Sequence, residues 1–315
     1  MQHGLFDSSD SWFYAGEEQA IGFYILNRGY DVWVGNNRGN KYSHTDTKNM
    51  SDSTFFDYSF DEMADYDLPA FYNYVLGQTG AEKLTWIGHS MGTSQFFAAA
   101  VDPKTKEFVT AKTKKFIALA PIVYMNYVGS RIIKFASVIG SVIGYAAKMF
   151  GLYEIPPNCE PTPNLDKLFQ FVCDHFALLC DNVVPGVTID PKMDIIYDDT
   201  EKFFGHMPSG SSMKNLLKYA QAVKMSDEEV FQRYDYGFAG NLYHYQQRTP
   251  PIWDMSIMTV PTALVGGQFD DLGSVRDVAN LSAKMNIATT VTYTVPGYDH
   301  LTFLFARDST PMFKI

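Results

Sequence analysis

Hydrophobic and polar positions along the first part of this chain form blocks with alternating helical and strand spacing. Apolar residues recur every three to four positions in three segments, and each of these segments precedes or follows a short apolar run that is typical of a buried strand. Strands that alternate with helices in this way predict βαβ units, and therefore a mostly parallel sheet covered by helices on both faces. The predicted helices span residues 17–29, 61–76 and 93–101, and the predicted strands span residues 30–35, 83–88 and 115–119.

The same alternation returns near the other end of the chain. Strands are predicted over 262–265 and 289–295, with a helix over 274–285 between them. Between Ile122 and Met258 the alternation stops, and helical patterns, prolines and the cysteines take its place. We therefore predict one core that is interrupted by an inserted, mainly helical cap. The predicted division is core over 1–121, cap over 122–258 and core again over 259–315.

One segment of the predicted cap, Phe135–Ala147, contains no charged residue. A helix that crosses a membrane needs about 20 apolar residues, so this run is too short and no transmembrane segment is predicted. A buried cap helix and a lid surface that faces lipid both fit this composition.

Composition narrows the range of functions. The chain has 315 residues, of which 46% are hydrophobic and 19% are charged, as in a globular protein with ample core. Its formal net charge of -10 argues against nucleic-acid partners and against electrostatic docking on anionic membranes, because both require clustered Lys and Arg. We expect a monomer that contacts any lipid through apolar surface.

The strongest chemical signal is the pentapeptide Gly88-His89-Ser90-Met91-Gly92. A nucleophilic serine must project from a strained turn, so the residues two before and two after it must be nearly free of side chains. The predicted strand that precedes this segment and the helix that follows it are typical of the nucleophile turn of the α/β-hydrolase fold. The alternative is a glycine-flanked turn in which Ser90 only caps a helix.

A serine nucleophile needs a histidine base and a carboxylate that orients the base, and in this fold they follow the serine in the order acid, then histidine. His300 lies in the loop after the last predicted strand and is the candidate base. His206 and His244 fall in the predicted cap, where surface or packing roles are expected.

The acid is not decided by these patterns alone. Asp270 and Asp271 both follow a predicted strand, and only one of them can face the imidazole. Asp299 is unsuited, because neighbouring side chains on an extended loop diverge.

The tetrahedral intermediate of ester hydrolysis needs two backbone N–H groups to stabilise its oxyanion. One comes from the residue after the nucleophile, here Met91, and the other comes from an early loop with a His-Gly motif. His3-Gly4 fits that motif, so Leu5 is the second candidate donor.

Several longer segments of the sequence carry a family resemblance. The segments Gln2–Leu5, Asn27–Asn40 and Phe60–Ala70 resemble the acid lipase family, which includes gastric and lysosomal acid lipases. The likeness continues through Ala118–Pro121, Gln221–Lys224, Gly266-Gly267 and His300-Leu301, and so covers nearly the whole chain.

The resemblance implies a lipase that hydrolyses triacylglycerols or steryl esters at a lipid–water interface without a cofactor or metal. It assigns the acid to Asp270, through the run Asp270-Asp271-Leu272-Gly273. It also implies a disulfide between Cys159 and Cys173, with Cys180 free, and residence outside the cell or in a lysosomal or vacuolar lumen. The first residues lack the features of a signal peptide, and the triplets that start at Asn49 and Asn280 match glycosylation acceptors.

Two features depart from the family pattern. Met91 stands where the animal enzymes usually have Gln, which changes the local polarity but keeps the backbone N–H. The family also has a longer segment before the His-Gly loop, including a strand that flanks the nucleophile strand. We expect this chain to lack most of that strand, which would leave backbone groups of the nucleophile strand unpaired.

Two other functions remain open from the sequence. One is a non-catalytic, lipid-binding homologue, and the other is an esterase or thioesterase for soluble acyl substrates, since the fold supports many chemistries. The carboxylates at 61, 62, 65 and 67 could suggest paired acid–base catalysis, but a solvated or helix-capping face is the interpretation we favour.

Overall fold

The computed structural model describes residues 1–44, 49–129, 150–155, 206–224, 228–286 and 288–314. The run Phe135–Ala147 and the three cysteines, Cys159, Cys173 and Cys180, lie outside these ranges, so the disulfide remains a prediction.

A four-stranded parallel sheet forms the centre of the described structure. Across this sheet the strands lie in the order Leu84–His89, Thr113–Leu119, Thr262–Gly267 and Thr290–Val295, and a separate antiparallel pair joins Glu154–Ile155 to Ser211–Ser212. The parallel sheet predicted from the alternating pattern is therefore confirmed. The strands are β1 Leu84–His89, β2 Thr113–Leu119, β3 Glu154–Ile155, β4 Ser211–Ser212, β5 Thr262–Gly267 and β6 Thr290–Val295.

The helices predicted over 93–101 and 274–285 agree closely with the observed helices, whereas the first predicted helix agrees less well. The predicted helix over 17–29 is reduced to six residues, because turns with positive φ at Gly16 and Gly29 flank it. Within the described ranges, no helix is long and apolar enough to cross a bilayer. The helices are α1 Ile21–Leu26, α2 Asp52–Phe55, α3 Phe60–Glu62, α4 Leu68–Thr79, α5 Met91–Val101, α6 Lys106–Lys112, α7 Met213–Lys224, α8 Gly237–Tyr245, α9 Val275–Lys284, α10 Thr302–Phe305 and α11 Thr310–Phe313.

The strand predicted over residues 30–35 is wrong as a continuous strand. Within this segment only Gly35 forms a β-bridge; its partner is Gln2, which also forms a bridge with Gly88 of β1. The N–H of Gln2 donates to the carbonyl of Ile87 at 2.8 Å, and the backbone N–H of His89 donates to the carbonyl of Gln2 at 3.0 Å. Met1 and Gln2 thus fill the position between β1 and residue 35, and the backbone groups beside the nucleophile turn are paired.

Two apolar cores pack on opposite faces of the sheet, because successive strand residues alternate between faces. Trp86 and Phe116 belong to one core, and Ile87 and Val265 belong to the other. The ring of Phe116 stacks on Phe96 of α5 with centroids 4.0 Å apart. Burial of each such side chain contributes about 1.5–3 kcal/mol, which fixes α5 behind the strand that leads to Ser90.

The acidic run is partly a helix cap, as predicted, but it is not solvated. Glu62 completes a capping box with Ser59 at the start of α3. Asp61 is 2% exposed and accepts the N–H of Tyr234 at 2.6 Å. Asp65 pairs with Arg233 at 2.6 Å. The solvated interpretation fails because cationic partners from distant sequence cover these carboxylates.

Two of those partners belong to α7. Lys214 lies 2.9 Å from Glu62, and Lys218 lies 3.7 Å from Asp61. Burial lowers the pKa of Lys218 to about 8 against the opposing effect of Asp61, and burial likewise raises the pKa of Asp61. A buried charge is tolerated only when it is paired, so these contacts fix the position of α7 over α3.

Candidate active site

Ser90 lies at the turn between β1 and α5. Its φ of 52° is in the left-handed region, which costs a non-glycine residue about 1–3 kcal/mol and persists only where the surroundings enforce it. A Cβ placed on Gly88 would lie 2.6 Å from the carbonyl oxygen of Gly92, and one placed on Gly92 would collide with the backbone of Gln2. The two glycines therefore allow the tight turn that presents the serine hydroxyl.

His300 meets Ser90 across the edge of the sheet. The serine Oγ and the imidazole Nε2 are 2.8 Å apart. On the other side of the ring, Nδ1 lies 2.9 Å from Oδ2 of Asp270 and 3.1 Å from Oδ1. The three side chains form one continuous chain of hydrogen bonds.

The sheet explains why residues so distant in sequence converge. Ser90 follows β1, Asp270 follows β5 and His300 follows β6. These strands are parallel members of one sheet, so their carboxyl ends lie at the same edge. Residues in the loops just after those ends are then within reach of one another.

Asp270 is held as an acceptor of hydrogen bonds. Its Oδ1 accepts the N–H groups of Leu272 at 2.9 Å and Gly273 at 2.7 Å. Burial alone would raise the pKa of Asp270, but the charge and hydrogen bond of His300, with those two N–H groups, hold the pKa below its usual value. A carboxylate in this state fixes Nδ1 of the imidazole as a donor and leaves Nε2 free to accept a proton from Ser90.

The two competing aspartates face elsewhere. Asp299 accepts the N–H groups of Leu301 at 2.9 Å and Thr302 at 2.8 Å, so it closes the turn after β6. Asp271 is exposed, and its carbonyl accepts the N–H of Gly129 at 2.9 Å.

The His-Gly loop lies against the serine. A Cβ placed on Gly4 would lie 3.2 Å from Cβ of Ser90 and 3.6 Å from its Oγ, so the loop that leads into Leu5 passes beside the hydroxyl. Met91 is the first residue of α5, and the first four N–H groups of a helix have no partner within it. The two candidate oxyanion donors therefore belong to segments that adjoin Ser90.

The imidazole of His3 fixes the loop that carries Leu5. Its Nδ1 lies 2.8 Å from the carbonyl oxygen of Gly4, and its Nε2 accepts the N–H of Asn37 at 3.1 Å. Burial lowers the pKa of His3 to about 4, so the ring is neutral and can donate on one side and accept on the other.

His89 also contacts the site, in a way that the sequence pattern did not indicate. Its Nε2 lies 2.8 Å from the carbonyl oxygen of His300 and donates to it, which ties the nucleophile turn to the loop of the base. Burial, with a smaller effect of His300, lowers the pKa of His89 to about 3, so the ring stays neutral. The two histidines named in the predicted cap make other contacts: His206 pairs with Asp10, and His244 stacks on Tyr236.

Asp7, just after the His-Gly loop, predicts a pH dependence of stability. Burial raises the pKa of Asp7 to about 7, against opposing hydrogen bonds from Ser11 and Ser8. Between pH 4 and 7 the folded chain therefore keeps a proton that the unfolded chain has released, so this stabilising effect is present at low pH and is lost as the pH rises through 7.

Replacement of Asp7 by Asn removes this titration. Denaturant unfolding at several pH values should show the unaltered protein losing up to about 4 kcal/mol relative to Asp7→Asn between pH 4 and pH 7. A difference between the two proteins that stays constant over this range would contradict the prediction.

Comparison with known proteins shows which proteins this chain resembles. A family model described as the α/β hydrolase fold matches residues 1–125. The chain is 35% identical over 313 residues to gastric triacylglycerol lipase of Rattus norvegicus, a match that covers 98% of this chain and 76% of that protein. It is 33% identical to lysosomal acid lipase/cholesteryl ester hydrolase of Homo sapiens, with 98% and 75% covered.

Solved structures agree on the fold. A mutant of an epoxide hydrolase from Bacillus megaterium superimposes with a TM-score of 0.53 at 12% identity, over 99% of this chain and 88% of that one. At this identity the likeness concerns the fold alone.

Proposed function

This chain belongs to the acid lipase family of the α/β-hydrolase fold, and we propose that it hydrolyses carboxylic esters of lipids, either triacylglycerols or steryl esters. The observation that carries the proposal is the chain of hydrogen bonds from Ser90 through His300 to Asp270, with Ser90 Oγ 2.8 Å from the imidazole. Hydrogen-bond reach between nucleophile and base is the first geometric requirement for acyl transfer.

The proposed reaction has two halves. Ser90 Oγ attacks the ester carbonyl while His300 Nε2 takes its proton, and the N–H groups of Leu5 and Met91 stabilise the oxyanion. The tetrahedral intermediate collapses as His300 gives the proton to the leaving alcohol, which leaves an acyl group on Ser90. Water, deprotonated by His300, then attacks that acyl group; the bond between the acyl carbon and Ser90 Oγ breaks as His300 returns the proton to Oγ, which releases a fatty acid and the free serine. Asp270 keeps its charge and stabilises the imidazolium.

The substrate class is supported by the relatives and by the composition. One relative bears the name of a triacylglycerol lipase, and another bears the name of a cholesteryl ester hydrolase as well as an acid lipase. A chain with a formal charge of -10 has little electrostatic attraction for anionic membranes, so we propose that apolar surface contacts the lipid–water interface.

We also propose the organisation and location that the family suggests. Residues 1–121 and 259–315 form the hydrolase core, and residues 122–258 form the cap; in support, α7 of that segment is joined to α3 by buried ion pairs. The names of the gastric and lysosomal relatives support secretion or a lysosomal or vacuolar lumen.

Assays on emulsified triolein and cholesteryl oleate test this function. The full chain should release fatty acid from at least one of them. Its rate should also rise sharply as a short-chain ester passes from monomers to droplets, as is expected of an enzyme whose proposed cap opens at an interface. A smooth saturation curve with no rise at the droplet transition would favour an esterase for soluble acyl substrates. No turnover, with no covalent reaction of Ser90 with an alkylphosphonate, would favour a non-catalytic lipid-binding protein.

A further inference from the structure

We infer that Asn215 is a positioning residue for the oxyanion hole and acts through the side chain of Met91. The inference rests on the proposed function, because the N–H of Met91 matters to catalysis only if Ser90 is the nucleophile. The residue belongs to α7, far from the serine turn in sequence, and no motif marks it.

Three elements hold the carboxamide of Asn215, which is fully buried. Its Oδ1 accepts the N–H of Phe60 at 3.0 Å. Its Nδ2 donates to Oγ of Ser211 at 3.1 Å and to the sulfur of Met91 at 3.0 Å. Asn215 therefore links the start of α3, the strand β4 and the first residue of α5.

The orientation of this amide follows from its partners. The backbone N–H of Phe60 can only donate, so the oxygen of Asn215 must face it and the amide nitrogen must face the other way. The thioether of Met91 can only accept, and it lies on the nitrogen side. These partners therefore fix the orientation of the amide, in which an N–H of Asn215 donates to the sulfur of Met91.

This contact fixes the residue whose N–H the oxyanion would use. An oxyanion donor must lie about 2.7–3.1 Å from the position of the developing charge. Met91 follows Ser90, whose φ of 52° is held only by its surroundings, so residue 91 needs contacts of its own to keep its N–H in place. Its side chain is buried, and Asn215 donates a hydrogen bond to the sulfur near the end of that side chain.

Replacement of Met91 by Leu gives the cleanest test. The change keeps the apolar volume and leaves the bonds of Asn215 to Phe60 and Ser211 intact, but it removes the sulfur acceptor. Complete loss of an oxyanion donor lowers kcat about 10²–10³-fold, so a displaced donor should lower it about tenfold. KM should stay within about twofold, because the ground-state ester gains little from this donor.

Replacement of Met91 by Gln serves as the conservative variant. The carboxamide oxygen of Gln can accept the amide of Asn215 in place of the sulfur. This variant should therefore recover most of the kcat that Met91→Leu loses. A Leu variant and a Gln variant that lose kcat equally would count against the contact.

A double-mutant cycle then links the two residues. Asn215→Ala should lower kcat about tenfold when the rate is expressed per site titrated with an alkylphosphonate. Asn215→Ala combined with Met91→Leu should lose no more than Asn215→Ala alone, because both changes break the same contact. The matched control is Asn241→Ala in α8, a buried Asn bonded to Asp235 and Arg248, which should lower Tm but leave kcat per titrated site unchanged.

The outcomes separate this inference from the function on which it rests. Turnover that Met91→Leu leaves unchanged, or losses that add in the double variant, would overturn the role of Asn215 alone. If Asn215→Ala does not fold, the comparison of Met91→Leu with Met91→Gln still tests whether the contact with Asn215 matters for kcat. An unaltered protein with neither turnover nor labelling at Ser90 would overturn the proposed function, and this inference with it.

Discussion

Replacement of Ser90 by Ala is expected to abolish ester hydrolysis. The hydroxyl is the atom that would bond to the acyl carbon, and no other described side chain within hydrogen-bond reach of His300 Nε2 can replace it. Removal of such a nucleophile lowers kcat on the order of 10⁶-fold, and what remains comes from binding and the oxyanion donors. Fatty acid released from an emulsified long-chain ester should therefore fall to background.

Ser94, one turn along α5, provides the matched control. Its Oγ donates to the carbonyl of Ile122 at 2.6 Å and accepts from Tyr219 at 3.2 Å, so it is engaged away from the imidazole. Ser94→Ala should retain labelling by an alkylphosphonate at Ser90, whereas Ser90→Ala should lose it. Retention of more than a few per cent of activity by Ser90→Ala would refute the assignment of the nucleophile.

Features that depend on neighbours in sequence were predictable from the sequence. The alternation of apolar segments gave the parallel sheet, and a predicted strand before Gly88 placed Ser90 at the end of that strand. Because the ends of parallel strands share an edge, the position of His300 after the last strand was enough to predict that it would lie near Ser90. The choice between Asp270 and Asp271 needed the family resemblance, since spacing does not say which of two adjacent carboxylates turns inward.

Features that depend on distant partners were not predictable. The segment 30–35 has strand composition, yet only Gly35 forms a β-bridge, because a strand is defined by the strand beside it and the bridge partner here is Gln2. The carboxylates at 61, 62 and 65 looked solvated, because Lys214, Lys218 and Arg233, which pair with them, lie more than 150 positions away in the sequence. The contact between Asn215 and Met91 has no sequence signal for the same reason.

Asp270→Asn is the second substitution for which we expect a large loss, of about 10⁴-fold in kcat. The Asn side chain keeps an oxygen that can accept the N–H groups of Leu272 and Gly273, so the loop should keep its shape. Its amide nitrogen, however, would face Nδ1 of His300 as a donor. The imidazole would then carry its proton on Nε2, which could no longer accept the proton of Ser90.

Asp271→Asn is the control for this prediction, because it makes the same chemical change one residue along on an exposed side chain. Its kcat should stay within about threefold of the unaltered protein, because a surface substitution rarely changes stability by more than about 0.5 kcal/mol. Steady-state rates on a soluble ester, with the fraction of folded protein checked by thermal unfolding, separate the two variants. A larger loss for Asp271→Asn than for Asp270→Asn would reverse the assignment of the acid, whereas equal losses would indicate that neither carboxylate alone orients His300.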